Sequence, residues 1–334
     1  MKILLIQTAF IGDVILATAL LEALHKQQPQ AELHFLLQKG NESLFVGHPY
    51  LKKTWVFDKK RNKIAHLYQL GKTLRAEGFS TVINLHRFLS SGILSYLTGA
   101  PCRIGFDKNP FSWSYTQIIK HTFEPNTHEI DRNLSLLASL FKKRIERTLP
   151  KLYPTPTDLE TATSTCQKPY VTISPASIWF TKQYPLAKWQ QLIENLPSNF
   201  KVYLLGGKAD AELCNKLVES DKLGRSYSLA GSMSLLQSAA IMNKAQMNYV
   251  NDSAPMHLAS SQGAPVSVMY CSTVPSFGFG PLSPESHIFE SAEPLTCRPC
   301  GLHGRATCPQ GHFKCSEIDP VFIIEQSLIK SSKS

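Results

Sequence analysis

The sequence predicts an α/β chain of two doubly wound domains. Three observations predict it: short apolar runs alternate with amphipathic stretches, the alternation occurs twice, and a proline-rich stretch separates the two series. The first series opens with KILLIQ at 2–7, a run of strand formers, and a helical pattern follows from Asp13 to about Gln27. Apolar runs at 32–37, 54–57, 81–85 and 103–106 then alternate with helical segments near 42–47, 63–77 and 89–98, and an amphipathic stretch at 128–142 closes the half. Strand, helix, strand in this order implies crossovers and a parallel sheet.

Residues 149–169 contain four prolines and several Ser and Thr, and read as an interdomain linker. The second series has apolar runs at 170–174, 201–205, 247–250 and 266–270, flanked by helical patterns near 186–196, 209–219, 234–243 and 254–262. The expected division is a Rossmann-like domain over 1–150, a linker over 151–168, a second Rossmann-like domain over 169–318, and a C-terminal helix and tail over 319–334. The facing strand ends of two such domains would form a ligand cleft.

Composition narrows the function. The chain has 334 residues, 43% of them hydrophobic, with 17 Phe, 11 Tyr and 4 Trp, so it has material for real cores and is not disordered as a whole. No apolar run is long enough to span a bilayer, and the start lacks a secretory pattern because Asp13 falls where the apolar region would have to continue. The expectation is a cytoplasmic protein. Residues 1–150 carry 20 Lys and Arg against 11 Asp and Glu, whereas the rest carries 15 against 14. The first half is therefore the part suited to an anionic partner, the cluster KKRNK at 59–63 included. No helix-turn-helix, zinc-finger or RNP pattern accompanies the charge, and no nucleic-acid partner is expected.

Four motifs are suited to chemistry. Phe10-Ile11-Gly12-Asp13 places a carboxylate at a helix start after the first strand. From spacing alone Asp13 caps the helix; the alternative is a general base facing a substrate hydroxyl. SPASIWFTKQYP at 174–185 sets Ser177, Thr181 and Lys182 at a helix entry, a cradle for a phosphate or a solvated loop. YLLGGKAD at 203–210 ends a strand in Gly206 and Gly207, where backbone can approach a ligand or simply turn. NDSAPMHLA at 251–259 places Asp252 and Ser253 at another strand-to-helix junction, with Ala254 next and His257 one turn on. The G-x-G-x-x-G fingerprint is absent, which removes the main support for a nicotinamide enzyme.

Taken in order, MKILLIQTAFIGDVI, PASIWFTKQYP, LLGG with a following acidic residue, LAGSMSLLQSAAIM and NDSAPMHLAS resemble glycosyltransferase family 9, the heptosyltransferases of lipopolysaccharide core synthesis. The likeness runs over essentially the whole chain. It implies a GT-B fold, an ADP-heptose donor held mainly by the second domain, and an anionic lipopolysaccharide inner-core acceptor held mainly by the first. It also implies inverting transfer with no metal required for catalysis. Carried over by motif, Asp13 is the general base, Lys182 with Ser177 and Thr181 holds the diphosphate, and Asp252, Ser253 and His257 contact the donor. Gly206, Gly207 and Ala254 belong to the same donor side; many relatives have Gly in place of Ala254, so backbone approach is less close here. The basic first half fits an acceptor with phosphates and carboxylates and a peripheral contact with the inner face of the inner membrane.

Two further readings stay open: a family 9-like transferase with another nucleotide sugar or acceptor, and, from other classes, a nucleotide-sugar 2-epimerase or a non-enzymatic two-domain ligand binder. The eight cysteines include Cys297, Cys300, Cys308 and Cys315, with His303 and His312 interleaved. Reduced thiols are the first reading of this cluster, a closed structural zinc site the second and disulfides the last.

Overall fold

The computed structural model describes residues 1–59, 63–124 and 126–329. Residues 60–62 of the basic cluster and the polar tail 330–334 lie outside the described residues. Two compact units divide between Tyr153 and Pro154.

The first unit runs β1 (Lys2–Gln7), α1 (Ile11–Gln27), β2 (Glu32–Gln38), β3 (Leu51–Phe57), α2 (Lys63–Ala76), β4 (Thr81–Asn84), α3 (Leu89–Leu97), β5 (Cys102–Phe106), β6 (Gln117–Ile119) and α4 (Glu129–Phe141). Its six strands are all parallel in the order β3-β2-β1-β4-β5-β6, with Ile3 opposite Leu33 on one side and Thr81 on the other. Helices on both faces explain why β1 reads as continuous apolar sequence: Ile3, Leu4, Leu5 and Ile6 are all buried. Leu4 and Ile6 share one core with Phe57, Leu74, Phe79 and Leu94.

The second unit runs α5 (Pro156–Thr165), β7 (Tyr170–Ser174), α6 (Leu186–Asn195), β8 (Lys201–Leu204), α7 (Ala211–Ser220), β9 (Ser226–Ser228), α8 (Leu235–Lys244), β10 (Asn248–Asn251), α9 (Ala254–Ser261), β11 (Val266–Tyr270), β12 (Ser286–Glu290) and α10 (Pro320–Ile324). The order β12-β11-β10-β7-β8-β9, again all parallel, repeats the strand order of the first sheet. Trp189, Tyr184, Tyr249, Ile323 and Ile324 lie in one core, so the C-terminal helix is part of this unit.

The structure differs from expectation in four places. The stretch read as a linker over 151–168 is mostly α5, which packs on α8. Its prolines mislead because Pro156 sits at the first helical position, where the missing N–H costs nothing. Thr155 and Asp158 close a capping box: the Thr155 N–H donates to the Asp158 carboxylate at 2.8 Å, and the Asp158 N–H donates back to Oγ1 at 3.2 Å. The helical segment near 42–47 is a single 3-10 turn, Glu42–Phe45. β6, β9 and β12 were not expected; they are outer strands of three to five residues of mixed burial, and their sequences QII, SYS and SHIFE form no continuous apolar run. The last helix, expected over about 319–330, is α10 followed by a π-helical turn at Glu325–Ile329.

Candidate active site

In a 3-2-1-4-5-6 sheet, neighbouring strands send their crossovers to opposite faces at one point, and ligands bind at the carboxyl ends there. That point lies between β1 and β4 in the first unit and between β7 and β10 in the second. All four sequence motifs lie in segments that follow carboxyl ends of strands.

In the first unit, Asp13 is the third residue of α1 and half-buried. The residue at the cap position is Phe10, which makes no side-chain cap bond, so Asp13 occupies the first turn rather than the cap itself. Across the switch point, Thr8 Oγ1 lies 2.9 Å from His86 Nδ1, and the Lys59 ammonium donates to the Thr8 carbonyl at 2.5 Å. Burial, then the charges of Lys59 and Arg87, push His86 down to about 3. Burial with Arg87 and Arg132 lowers His121 to about 4. Both rings are neutral near pH 7. The positive charge of this edge therefore resides on Lys59 and Arg87, because buried Arg132 is paired with Glu129 at 2.8 Å; Arg87 and Arg132 lie 5.4 and 5.0 Å from the centre of the Phe123 ring. Thr8 stands inside the quoted opening segment MKILLIQTAFIGDVI, and His86 and Arg132 lie in NLHRFLSS and HEIDRNLSLL, segments that also resemble the family's acceptor-side domain, but none of the three is singled out by the sequence.

In the second unit, the Lys182 ammonium lies 2.7 Å from the Asp252 carboxylate, which also accepts from Thr273 Oγ1 at 2.6 Å. Two residues singled out 70 positions apart are thus in direct contact. Asn251 ties their loops together: its Nδ2 donates to the Pro175 carbonyl at 2.8 Å, and its Oδ1 accepts from the Tyr184 N–H at 2.9 Å. It stands inside the quoted NDSAP motif but was not singled out, because its role is to hold backbone. Ser253 is the N-cap of α9 and makes no side-chain cap bond; Ala254 opens the helix, and His257 is buried on its second turn. Ser177 is half-buried, and its carbonyl accepts from Gln183 Nε2.

Thr181 departs from expectation. Its hydroxyl donates to the Arg305 carbonyl at 3.2 Å and accepts from the Arg305 N–H at 2.8 Å and Ser272 Oγ at 2.9 Å, so a buried group expected to meet phosphate is already satisfied. Gly206 and Gly207 form a turn closed by Asp210, whose carboxylate accepts from the Gly207 N–H at 2.8 Å.

Arg305 belongs to the cysteine-bearing strap. Arg298 anchors one end by donating to the carbonyls of Tyr270 and Thr273 at 3.1 and 2.7 Å, and the Cys300 N–H donates to the Ser272 carbonyl at 2.8 Å. Gly304, at φ +79°, lies against Lys182; a Cβ there would come within 2.9 Å of Lys182 Cγ. Cys297, Cys300, Cys308 and Cys315 are free thiols. Burial works to raise Cys308, but the backbone amides of Phe313, Gln310, Gly311 and His312 outweigh it and hold the thiol below its usual value. Among the described residues no three His, Cys, Asp or Glu side chains are arranged to hold a metal ion.

The fold and these two strand-end sites define a two-unit α/β enzyme with a carboxylate at one helix start and a Lys–Asp pair beside another. The chain belongs to glycosyltransferase family 9, the heptosyltransferase family, whose model matches residues 67–305. It is similar to lipopolysaccharide heptosyltransferase 3 of Escherichia coli, at 25% identity over 79% of this chain and 82% of that one. In fold it matches E. coli ADP-heptose lps heptosyltransferase II, with a TM-score of 0.83 at 19% identity over 99% of this chain and all of the other. A family 9 glycosyltransferase from Veillonella parvula gives 0.82 at 22% identity, covering 99% and 96%. The chain has the GT-B fold of these proteins and is a glycosyltransferase.

Proposed function

We propose that this enzyme transfers heptose from ADP-heptose to the inner core of lipopolysaccharide, with inversion at the anomeric carbon. The Lys182–Asp252 pair beside the amino end of α9 is the observation that carries this reading. One ammonium hydrogen meets Asp252, and the others can donate to a diphosphate. The helix dipole adds positive potential where the leaving group gains charge. The printed names of the relatives supply the donor and acceptor class.

Asp13 takes the proton of an acceptor hydroxyl as that oxygen attacks the anomeric carbon. The bond from that carbon to the diphosphate breaks, its electron pair leaves with ADP, and Lys182 with the α9 terminus stabilises the product anion. Lys59 and Arg87 offer cations to acceptor phosphates and carboxylates. In this reading the reaction takes place in the cytoplasm.

Calorimetric titration with ADP and UDP, with and without chelator, tests the donor. Preference for ADP that survives chelation and is lost in Lys182→Ala is expected; preference for UDP overturns the donor. An assay with ADP-heptose and truncated lipopolysaccharide then reads transfer. Retention of configuration in the product overturns the single displacement.

A further inference from the structure

We infer that the first unit docks on an anionic bilayer through an aromatic ridge formed by α3 and the loop between β5 and β6. Single exposed apolar residues are ordinary, but a contiguous group is not. Here Trp113 is 69% exposed and Tyr96 49%, and Phe88 and Leu89 stand exposed at the start of α3. Tyr96, Phe111 and Trp113 form one cluster, with ring centres 5.8 Å apart for Tyr96 and Phe111 and 4.6 Å for Phe111 and Trp113.

The ridge is built, not floppy. Phe111 lies directly on α3 because residue 92 is glycine; a Cβ there would stand 2.7 Å from Phe111 Cβ. Buried Asn109 fixes the loop: its Nδ2 donates to the carbonyls of His86 and Phe88 at 2.9 and 3.0 Å, and its Oδ1 accepts from the Phe111 N–H at 2.8 Å. Arg103 Nε donates to the Ser114 carbonyl at 3.0 Å and holds the far side. Rings presented this firmly lose little freedom on insertion.

Charge selects the partner. Between Phe88 and Trp113 the only acidic residue is Asp107, and its carboxylate already accepts from the His121 N–H at 2.8 Å. Lys108 is exposed in the same loop, and residues 1–150 carry 20 Lys and Arg against 11 Asp and Glu. Trp and Tyr beside lysine, with a single half-buried acid already hydrogen-bonded, suit the headgroup layer, where rings enter the boundary and cations meet lipid phosphates. The inference extends the proposed lipid-linked acceptor, which lies in a bilayer. Its test uses neither substrate, so its failure leaves the transferase reading standing.

The full chain is sedimented with vesicles of equimolar phosphatidylethanolamine and phosphatidylglycerol. Binding is expected, and Trp113→Ser with Tyr96→Ser should lower the partition roughly tenfold or more. Leu223→Ser, which removes a side chain 61% exposed in the other unit, should leave it unchanged. Tryptophan emission should shift to the blue on vesicle addition, and Trp113→Phe, which keeps an aromatic ring, should bind while losing most of that shift. Three results overturn the inference: no sedimentation of the unmodified protein, equal sedimentation of the double variant, or a dimer in sedimentation velocity that the same substitutions dissociate. The last would make a second copy the occupant.

Discussion

The two sheets share one strand order, yet the polar groups at their switch points are arranged in different ways. In the first unit, Thr8 and His86 meet across the gap as neutral groups, with cations near them on Lys59 and Arg87. In the second, Lys182 and Asp252 meet as an ion pair, with Thr273, Asn251 and the strap at Gly304–Arg305 bracing the loops that carry them. The backbone topology supplies a place for ligands, and the loops decide their chemistry. A cationic rim suits an anionic acceptor, and a braced Lys–Asp pair suits a diphosphate held in one geometry.

The sharpest way to break this contrast is to remove the one carboxylate assigned to chemistry in the first unit. Asp13→Asn should lower transfer by about a hundred- to ten-thousandfold, with the melting temperature nearly unchanged. A large loss of stability with transfer retained would return Asp13 to a helix-stabilising role. In the second unit, Asp252→Ala strands a lysine whose side chain is 14% exposed, so urea denaturation should show a loss of roughly 3 kcal/mol. Lys182→Ala should instead act on binding, weakening ADP about tenfold or more in calorimetry. If Lys182→Ala costs stability as Asp252→Ala does and leaves ADP affinity unchanged, the pair is structural only.

Acid should separate the units next. His86 has its pKa lowered to about 3 in the folded state, against about 6.5 unfolded, so the unfolded chain binds the extra proton between those values. Stability is therefore present above pH 6.5 and lost as pH falls; from pH 7 to 5 the loss is about 2 kcal/mol. Denaturation at the two pH values should show it, and His86→Gln should reduce it. The smallest effect is expected at the strap. Gly304→Ala places a Cβ at positive φ against Lys182 and should cost about 1 kcal/mol while weakening ADP a few-fold. Unchanged ADP affinity would detach the strap from the site.

Much of this was readable in the chain itself. The alternation of apolar runs and helices predicted both sheets, because parallel strands covered on both faces must be apolar throughout, and Ile3 to Ile6 are. Strand-to-helix junctions marked Asp13, Lys182 and Asp252, since such junctions combine turn residues with free polar groups. Edge strands such as β6 and β9 escaped because three residues of mixed burial carry no period. The linker reading of 151–168 failed because proline has one meaning in a loop and another at the first position of α5.

The sequence by itself determined the fold class, the family and the residues at the strand ends, because periodicity and junction chemistry are local. Only the tertiary structure decided partners. It spent the Thr181 hydroxyl on Arg305, joined Lys182 to Asp252, neutralised His86 by burial, and gathered Tyr96, Phe111 and Trp113 into one ridge. Each of these depends on groups distant in sequence sharing one small volume, which no local pattern records.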